Sequence, residues 1–306
     1  MAVNPTGSMV RSSFASLMKS APELRKIYFN EYDRLPDIYS KYMIVESSTK
    51  KTETENVLAS LGEWSSHTEG EDYSFNELVQ GTEVTATHTS YAQGYSVSQE
   101  LIEDDQWNVI NQGAKTMAAG GKSIVESVAS TPFDNAFTSG TGSDGSYLCV
   151  TNHNLINSGS TGSNALTTPL SAEGLEAAYI LGRNVVDDAN VIIRTQYDTL
   201  LIPEDLERKA EELMMSVLNP ETGNNAINVY KGKIKNIVVC PYLSSASAWF
   251  LIDSSSQRRP KFFWRLKPEF HVVTHPTSLN ALMIARERFS TIFAGWQGVI
   301  GSTGAA

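Results

Sequence analysis

The chain has 306 residues, 41% hydrophobic and 19% charged, which suits a folded protein able to bury the core of two subdomains. Its net charge is −10, no apolar run approaches the ~20 residues of a membrane helix, and the first residues lack the apolar centre of a secretory signal. Two cysteines, Cys149 and Cys240, exclude a disulfide framework and suit synthesis in a reducing cytoplasm.

The charge is unevenly placed. Residues 46–105 carry 13 acids and two bases, Lys50 and Lys51, for a net −11, so the remaining chain sums to +1. Residues 1–19, rich in Ser, Ala and Met, read as an arm. Ser20-Ala-Pro-Glu23 is a capping box, and Leu24, Ile27 and Tyr28 give a short helix one apolar face before Leu35-Pro36 ends it. From Lys41 to Leu101 the pattern is extended. Thr52–Leu58 and Thr82–Ser98 are rich in Thr, Val and Tyr, with alternation at Val84, Ala86 and His88. Between them lies a tip bearing Trp64, Tyr73 and Phe75. The pattern predicts a long two-stranded ribbon. Such a ribbon is marginal alone, so its aromatic tip calls for a partner or for packing on its own domain.

A spine helix is predicted over Asp104–Phe137. Trp107, Ile110, Ala114, Met117, Gly121, Ile124 and Val128 recur at helical spacing, and the length corresponds to ~45–50 Å. Gly120-Gly121 in its middle predicts a bend or a close neighbouring element, and Pro132 should kink it or mark its last turns. Residues 138–169 are loop-rich, with a short strand expected at Tyr147–Val150. Ser171 caps a helix to about Val186, with Leu175, Ala178, Tyr179, Gly182 and Val185 inward. A buried-type strand at Thr199–Ile202 precedes a helix opened by Pro203, with Leu206, Ala210, Leu213, Met214 and Val217 apolar. Glu204–Arg208 and Asp205–Lys209 are at pairing distance, and Asn219-Pro220 is the stop. Strands follow at Ile234–Cys240, Ala248–Ile252, Phe262–Leu266, His271–Thr274, Leu282–Arg288 and Thr291–Trp296.

No motif in the sequence marks a catalytic, cofactor-binding or metal-binding residue. Gly121-Lys122-Ser123 resembles the end of a phosphate loop, but Thr116 stands where its first glycine belongs. No nucleophile elbow is present, the five histidines match no zinc pattern, and Asp144 lacks the further acids of a calcium loop. Arg258, Arg259 and Lys261 open a basic, aromatic stretch. It fits either single-stranded nucleic acid or a strand with Phe263 inward and its bases outward; the acidic chain favours the strand. A sharper expectation pairs this cluster with the acidic ribbon of a neighbouring subunit.

The order of arm, ribbon, spine and strand–helix–strand domain resembles the major capsid protein of tailed bacteriophages, the Hong Kong 97 fold. Asp144 to Leu166, DGSYLCVTNHNLINSGSTGSNAL, is similar to a stretch of Mu-like head proteins, although Asn154 stands where a proline is common. YDTLLIPEDLERKAEELM is similar to their axial strand and helix, and Arg286 through Gly304 to their closing strands. The resemblance implies an α+β capsid fold. Residues 1–40 would be the arm, 41–101 the E-loop ribbon, 102–186 the peripheral domain with its spine, 187–268 the axial domain and 269–306 the closing strands.

The resemblance also implies a non-enzymatic shell protein, without cofactor or membrane partner, made in the host cytoplasm and resident in the virion capsid. It would assemble with itself into pentamers and hexamers around DNA that it does not read. Scaffolding, portal and cement or decoration proteins are the further partners implied. The absence of a charged helical segment before the arm implies a separate scaffolding protein or earlier processing. Trp64, Tyr73, Phe75, Arg258, Arg259 and Lys261 are the interface candidates, and Gly120 and Gly121 the point of flexure. The alternatives are another virion component, from a tail or a decoration, and a mixed α/β hydrolase acting near His153.

Overall fold

The computed structural model describes residues 22–73, 75–98, 101, 109–216, 228, 230–275 and 280–305. Residues 1–19, Ser20 of the capping box, the predicted start of the spine with Trp107, Val217 and the Asn219-Pro220 stop lie outside the described residues. In chain order the elements are α1 (residues 22–34), β1 (Ile44–Ser47), β2 (Thr52–Glu55), β3 (Val84–Thr87), β4 (Thr89–Val97) and the spine α2 (Val109–Asp134). Then come β5 (His153–Asn154), β6 (Thr161–Gly162), β7 (Ala165–Leu166), α3 (Ala172–Arg183), β8 (Thr199–Ile202) and α4 (Glu207–Met215). The remainder is β9 (Asn236–Val239), β10 (Trp249–Ile252), β11 (Lys261–Thr274), β12 (Ala281–Ile292) and β13 (Val299–Ser302).

Two compact units share the chain. The first draws on residues up to Asp37, on His88–Glu126 and on Trp264–Phe289. Its core joins Leu24, Tyr28 and Tyr32 of α1, Met117 and Ala118 of the spine, and Phe270, Met283 and Ala285 of the long strands. Here β4 pairs antiparallel with β12, from Ala281↔Val97 to Phe289↔Thr89, and β12 lies beside β11. The spine stripe is real but wider than predicted. Ala114, Met117, Ala118 and Val125 are buried while Ile124 is half-covered, and Lys122 and Glu126 are buried with them. Lys122 is accommodated by an ion pair with Asp37 and by the Tyr32 ring, 4.9 Å away.

The second unit holds Ile38–Thr87, Ser127–Phe263 and the chain from Ser290 on. A five-stranded sheet runs β7-β13-β10-β8-β9. Every residue of β8, β10 and β13 is buried, which is why these strands read as continuous apolar runs. Period-two alternation sends Leu200, Ile202, Trp249, Leu251 and Ile300 to one face, where Leu175 and Ala178 of α3 and Ala210, Leu213 and Met214 of α4 cover them. On the other face Phe250 meets Phe133 and Phe137, with centroids at 5.4 and 5.7 Å. Burial of each such side chain contributes about 1.5–3 kcal/mol. Ser171 caps α3 as predicted, its hydroxyl accepting from Gly174 N at 3.0 Å. Asp134 ends the spine two residues after Pro132, which therefore marks the last turn.

Several sequence expectations are corrected. Tyr147–Val150 forms no strand, although Leu148 and Cys149 are buried there. The two pairs of strands predicted between Phe262 and Trp296 are two long single strands, β11 and β12. The ribbon is short: β2 and β3 pair over four residues, Thr52↔Thr87 to Glu55↔Val84, and β4 leaves to join β12. Pro203 opens a 3-10 turn before α4, whose Arg208 pairs with Glu212 at 2.9 Å in place of Glu204.

Candidate assembly surfaces and a buried polar knot

The ribbon tip is anchored at its base and bare at its end. Asn157 Nδ2 donates to Ser60 O at 3.1 Å, and Asn76 Nδ2 to Leu61 O at 2.9 Å. Beyond these bonds Trp64 is 99%, Tyr73 72% and Phe75 93% exposed, with Leu58 and Leu78 also exposed. Tyr73 stacks on His67, at 4.5 Å. These aromatic side chains on an acidic loop are thus left bare within the subunit.

The basic cluster faces acids of its own chain. Lys261 Nζ lies 2.5 Å from Glu55 Oε1 of β2 and 3.7 Å from Glu46 Oε1 of β1. The charge pairing predicted across subunits is thus made for Lys261 within one. Arg258 Nη1 is 3.6 Å from Asp188 Oδ2; burial raises the Asp188 carboxyl above its usual range, and Arg258 opposes that shift. Arg259 is half-buried, its Nε without a hydrogen-bond partner, and desolvation lowers its pKa. On the strand itself Phe263 is buried and Lys267 exposed, with Lys261 and Arg265 half-buried, while Arg258 and Arg259 lie before its start. Phe262, Phe263 and Trp264 are buried in succession, because both faces of β11 are covered there.

Gly120 is exposed and Gly121 half-buried in an unbroken helix. A Cβ on Gly121 would lie 3.4 Å from the Tyr28 hydroxyl, and one on Gly120 3.3 Å from Gln93 Oε1. The tightest point of the spine is Gly113, which the stripe did not single out. A Cβ there would come within 2.8 Å of the Tyr95 ring, whose hydroxyl donates to Ile110 O at 2.9 Å.

The sequence pattern did not reveal the polar knot of the second unit. His153 is wholly buried. Its Nδ1 is 2.6 Å from Asp144 Oδ2, its Nε2 2.9 Å from Asn164 Oδ1, and its ring stacks on Trp296 with centroids 4.2 Å apart. Asn164 Nδ2 donates to Leu148 O at 2.8 Å and Val299 O at 3.0 Å, which fixes Oδ1 as the acceptor for His153 Nε2 and for Val150 N. Gly162 completes the fit, since a Cβ there would sit 2.6 Å from the Trp296 indole. These residues tie the loop after the spine to β13. Both ring nitrogens are engaged and His153 is shut off from solvent, as befits a structural histidine.

Over residues 81–298, more than two thirds of its length, the chain matches the family described as phage capsid protein. The chain belongs to the phage capsid protein family. No curated protein sequence matches it. Among solved structures, the capsid subunit is similar to the capsid of cyanophage P-SCSP1u, with a TM-score of 0.61, 10% identity and 87% of each chain covered. It is also similar to the capsid of a native GTA particle, at 0.56 and 12% identity over 89% of this chain and 92% of that one. A third relative is the capsid of bacteriophage JBD30 decorated with minor capsid protein trimers, at 0.57 and 13% identity over 69% and 92%. At these identities the likeness shows the fold, which is the Hong Kong 97 type expected from the resemblance. Family and fold together give the subunit a structural role in the virion capsid.

Proposed function

We propose that this capsid subunit assembles into pentamers and hexamers of an icosahedral shell that encloses phage double-stranded DNA. The observation that carries the proposal is the ribbon tip, where Trp64, Tyr73 and Phe75 have no apolar cover within the subunit. A second copy supplies that cover, and many modest contacts of this kind sum to a tight shell. Residues 1–40 act as the arm, 41–101 as the E-loop, 102–186 with 269–306 as the peripheral domain and 187–268 as the axial domain. Gly120 and Gly121 are the point where the spine adapts to different positions in the shell, and Lys261, paired with Glu55 and Glu46 of its own chain beside Arg258 and Arg259, holds the base of the ribbon from which the tip reaches a neighbour. The net charge of −10 suits a container whose DNA must slide along its wall, since binding to the duplex rests on cations. The decorated capsid of bacteriophage JBD30 makes a decorating partner the first to seek, with scaffolding and portal proteins beside it.

Negative-stain electron microscopy of the purified chain tests the proposal. Closed shells or rings of five and six subunits are expected. Tubes would assign it to a tail instead, and a monomer at every concentration would overturn shell assembly.

A further inference from the structure

The glycine pair of the spine floors a cleft of about 330 Å³ within the first unit. Glu287 stands in its wall, 4% exposed. Its Oε2 accepts from the Tyr32 hydroxyl at 3.3 Å, while its Oε1 is buried without a hydrogen-bond partner. An unmatched carboxylate oxygen at such a place is costly and calls for a donor. Two more acceptors lie against the same glycines. The Tyr28 hydroxyl and Glu287 Oε1 are 3.4 and 3.7 Å from the position of a Cβ on Gly121, and Gln93 Oε1 is 3.3 Å from that of a Cβ on Gly120. Met117 and Ile124 supply aliphatic wall. The nearby cations are committed: Lys122 to Asp37, and Arg286 to Glu269 at 2.8 Å.

We propose that this cleft binds a primary alkylammonium group, whose three N–H donors meet Glu287, Tyr28 and Gln93 while its methylene stem lies along Met117 and Ile124. A free polyamine and a lysine side chain of a second copy both present that group. The acceptor is the ionised carboxylate. Burial lifts the Glu287 carboxyl to about 7, and the other ionisable groups facing it are Tyr28, Tyr32 and Lys122. Binding therefore strengthens as the pH rises through that value and displaces a proton as it does so.

Thermal unfolding of the full chain, in sodium chloride and in n-butylammonium chloride at equal ionic strength, tests the site. At pH 8 butylammonium should raise Tm by several degrees over sodium, and at pH 5 hardly at all. Glu287→Gln should abolish the gain by removing the charge, and Gly120→Met by filling the cleft. Equal Tm in the two salts at pH 8, or an undiminished gain in Glu287→Gln, would overturn the proposal. The source is read by two further arms. Stabilisation by spermidine, with Glu287→Gln particles forming normally, assigns the site to a free amine. Competition of butylammonium with particle formation, with Glu287→Gln unable to assemble, assigns it to a lysine of a second copy. The salt comparison reads unassembled subunits, so it stands whether or not shells form.

Discussion

Glu287 lowers the stability of the subunit at neutral pH. Desolvation raises its carboxyl from 4.5 to about 7, against the opposing pull of the Tyr32 hydroxyl and Lys122. A carboxyl raised in the folded state holds its proton where the unfolded chain has lost it. Stability is therefore undiminished below pH ~4.5, falls between that value and about 7, and stays lowered above. Glu287→Gln should stabilise the chain by about 2 kcal/mol at pH 8 and by nearly nothing at pH 4, read from urea unfolding at the two pH values. Asn164 behaves in the opposite way, because every polar atom of its side chain is used. Asn164→Ala leaves Leu148 O, Val299 O, Val150 N and His153 Nε2 unmatched, and should cost about 4 kcal/mol in the same assay. Neither role was legible beforehand. Asp144, His153, Asn164 and Trp296 are separated by up to 152 positions, and no periodicity links polar residues that meet only in the folded chain.

At the level of elements, the legible parts were those whose burial repeats locally. The all-apolar run Thr199–Ile202, the Ser171 cap and the stripe along the spine each carry a signal within a few residues. The ends and continuity of strands did not. Pro268 sits inside β11 without ending it, so the strand runs on where two were expected. The residues around His88 read as one strand with alternating burial, and the alternation is correct, but the pairing changes partner there from β2 to β12. The glycines of the spine separate into two kinds. Gly120→Ala should stabilise by about 0.5–1 kcal/mol, since the new methyl group meets only the end of the Gln93 side chain. Gly113→Ala should destabilise despite the same helical gain, because its methyl group would displace the Tyr95 ring and strain the bond to Ile110. Thermal melts of the two variants check the contrast. Reversing Lys261 to Glu should destabilise the unassembled subunit, with partial recovery in the Lys261→Glu/Glu55→Lys pair, as expected of a bond within one chain.

For the whole molecule, the exposed tip separates folding from association. Trp64→Ser with Phe75→Ser should leave the Tm of the subunit within about a degree, because neither side chain is covered in it. The same change should suppress particle formation followed by light scattering. The aromatic tip was legible in composition alone, because Trp64, Tyr73 and Phe75 stand out in an otherwise polar, acidic stretch. The place of β13 has a separate consequence for the timing of biosynthesis. This strand lies between β7 and β10, and Asn164 binds Val299 O across it. The five-stranded sheet therefore cannot close until the residues through Ser302 have left the ribosome, roughly 10 s or more after β7 at ordinary rates of synthesis. A nascent chain that emerges among its sisters on one polysome thus presents its ribbon before its second unit is complete, and full association must wait for release of the finished fold.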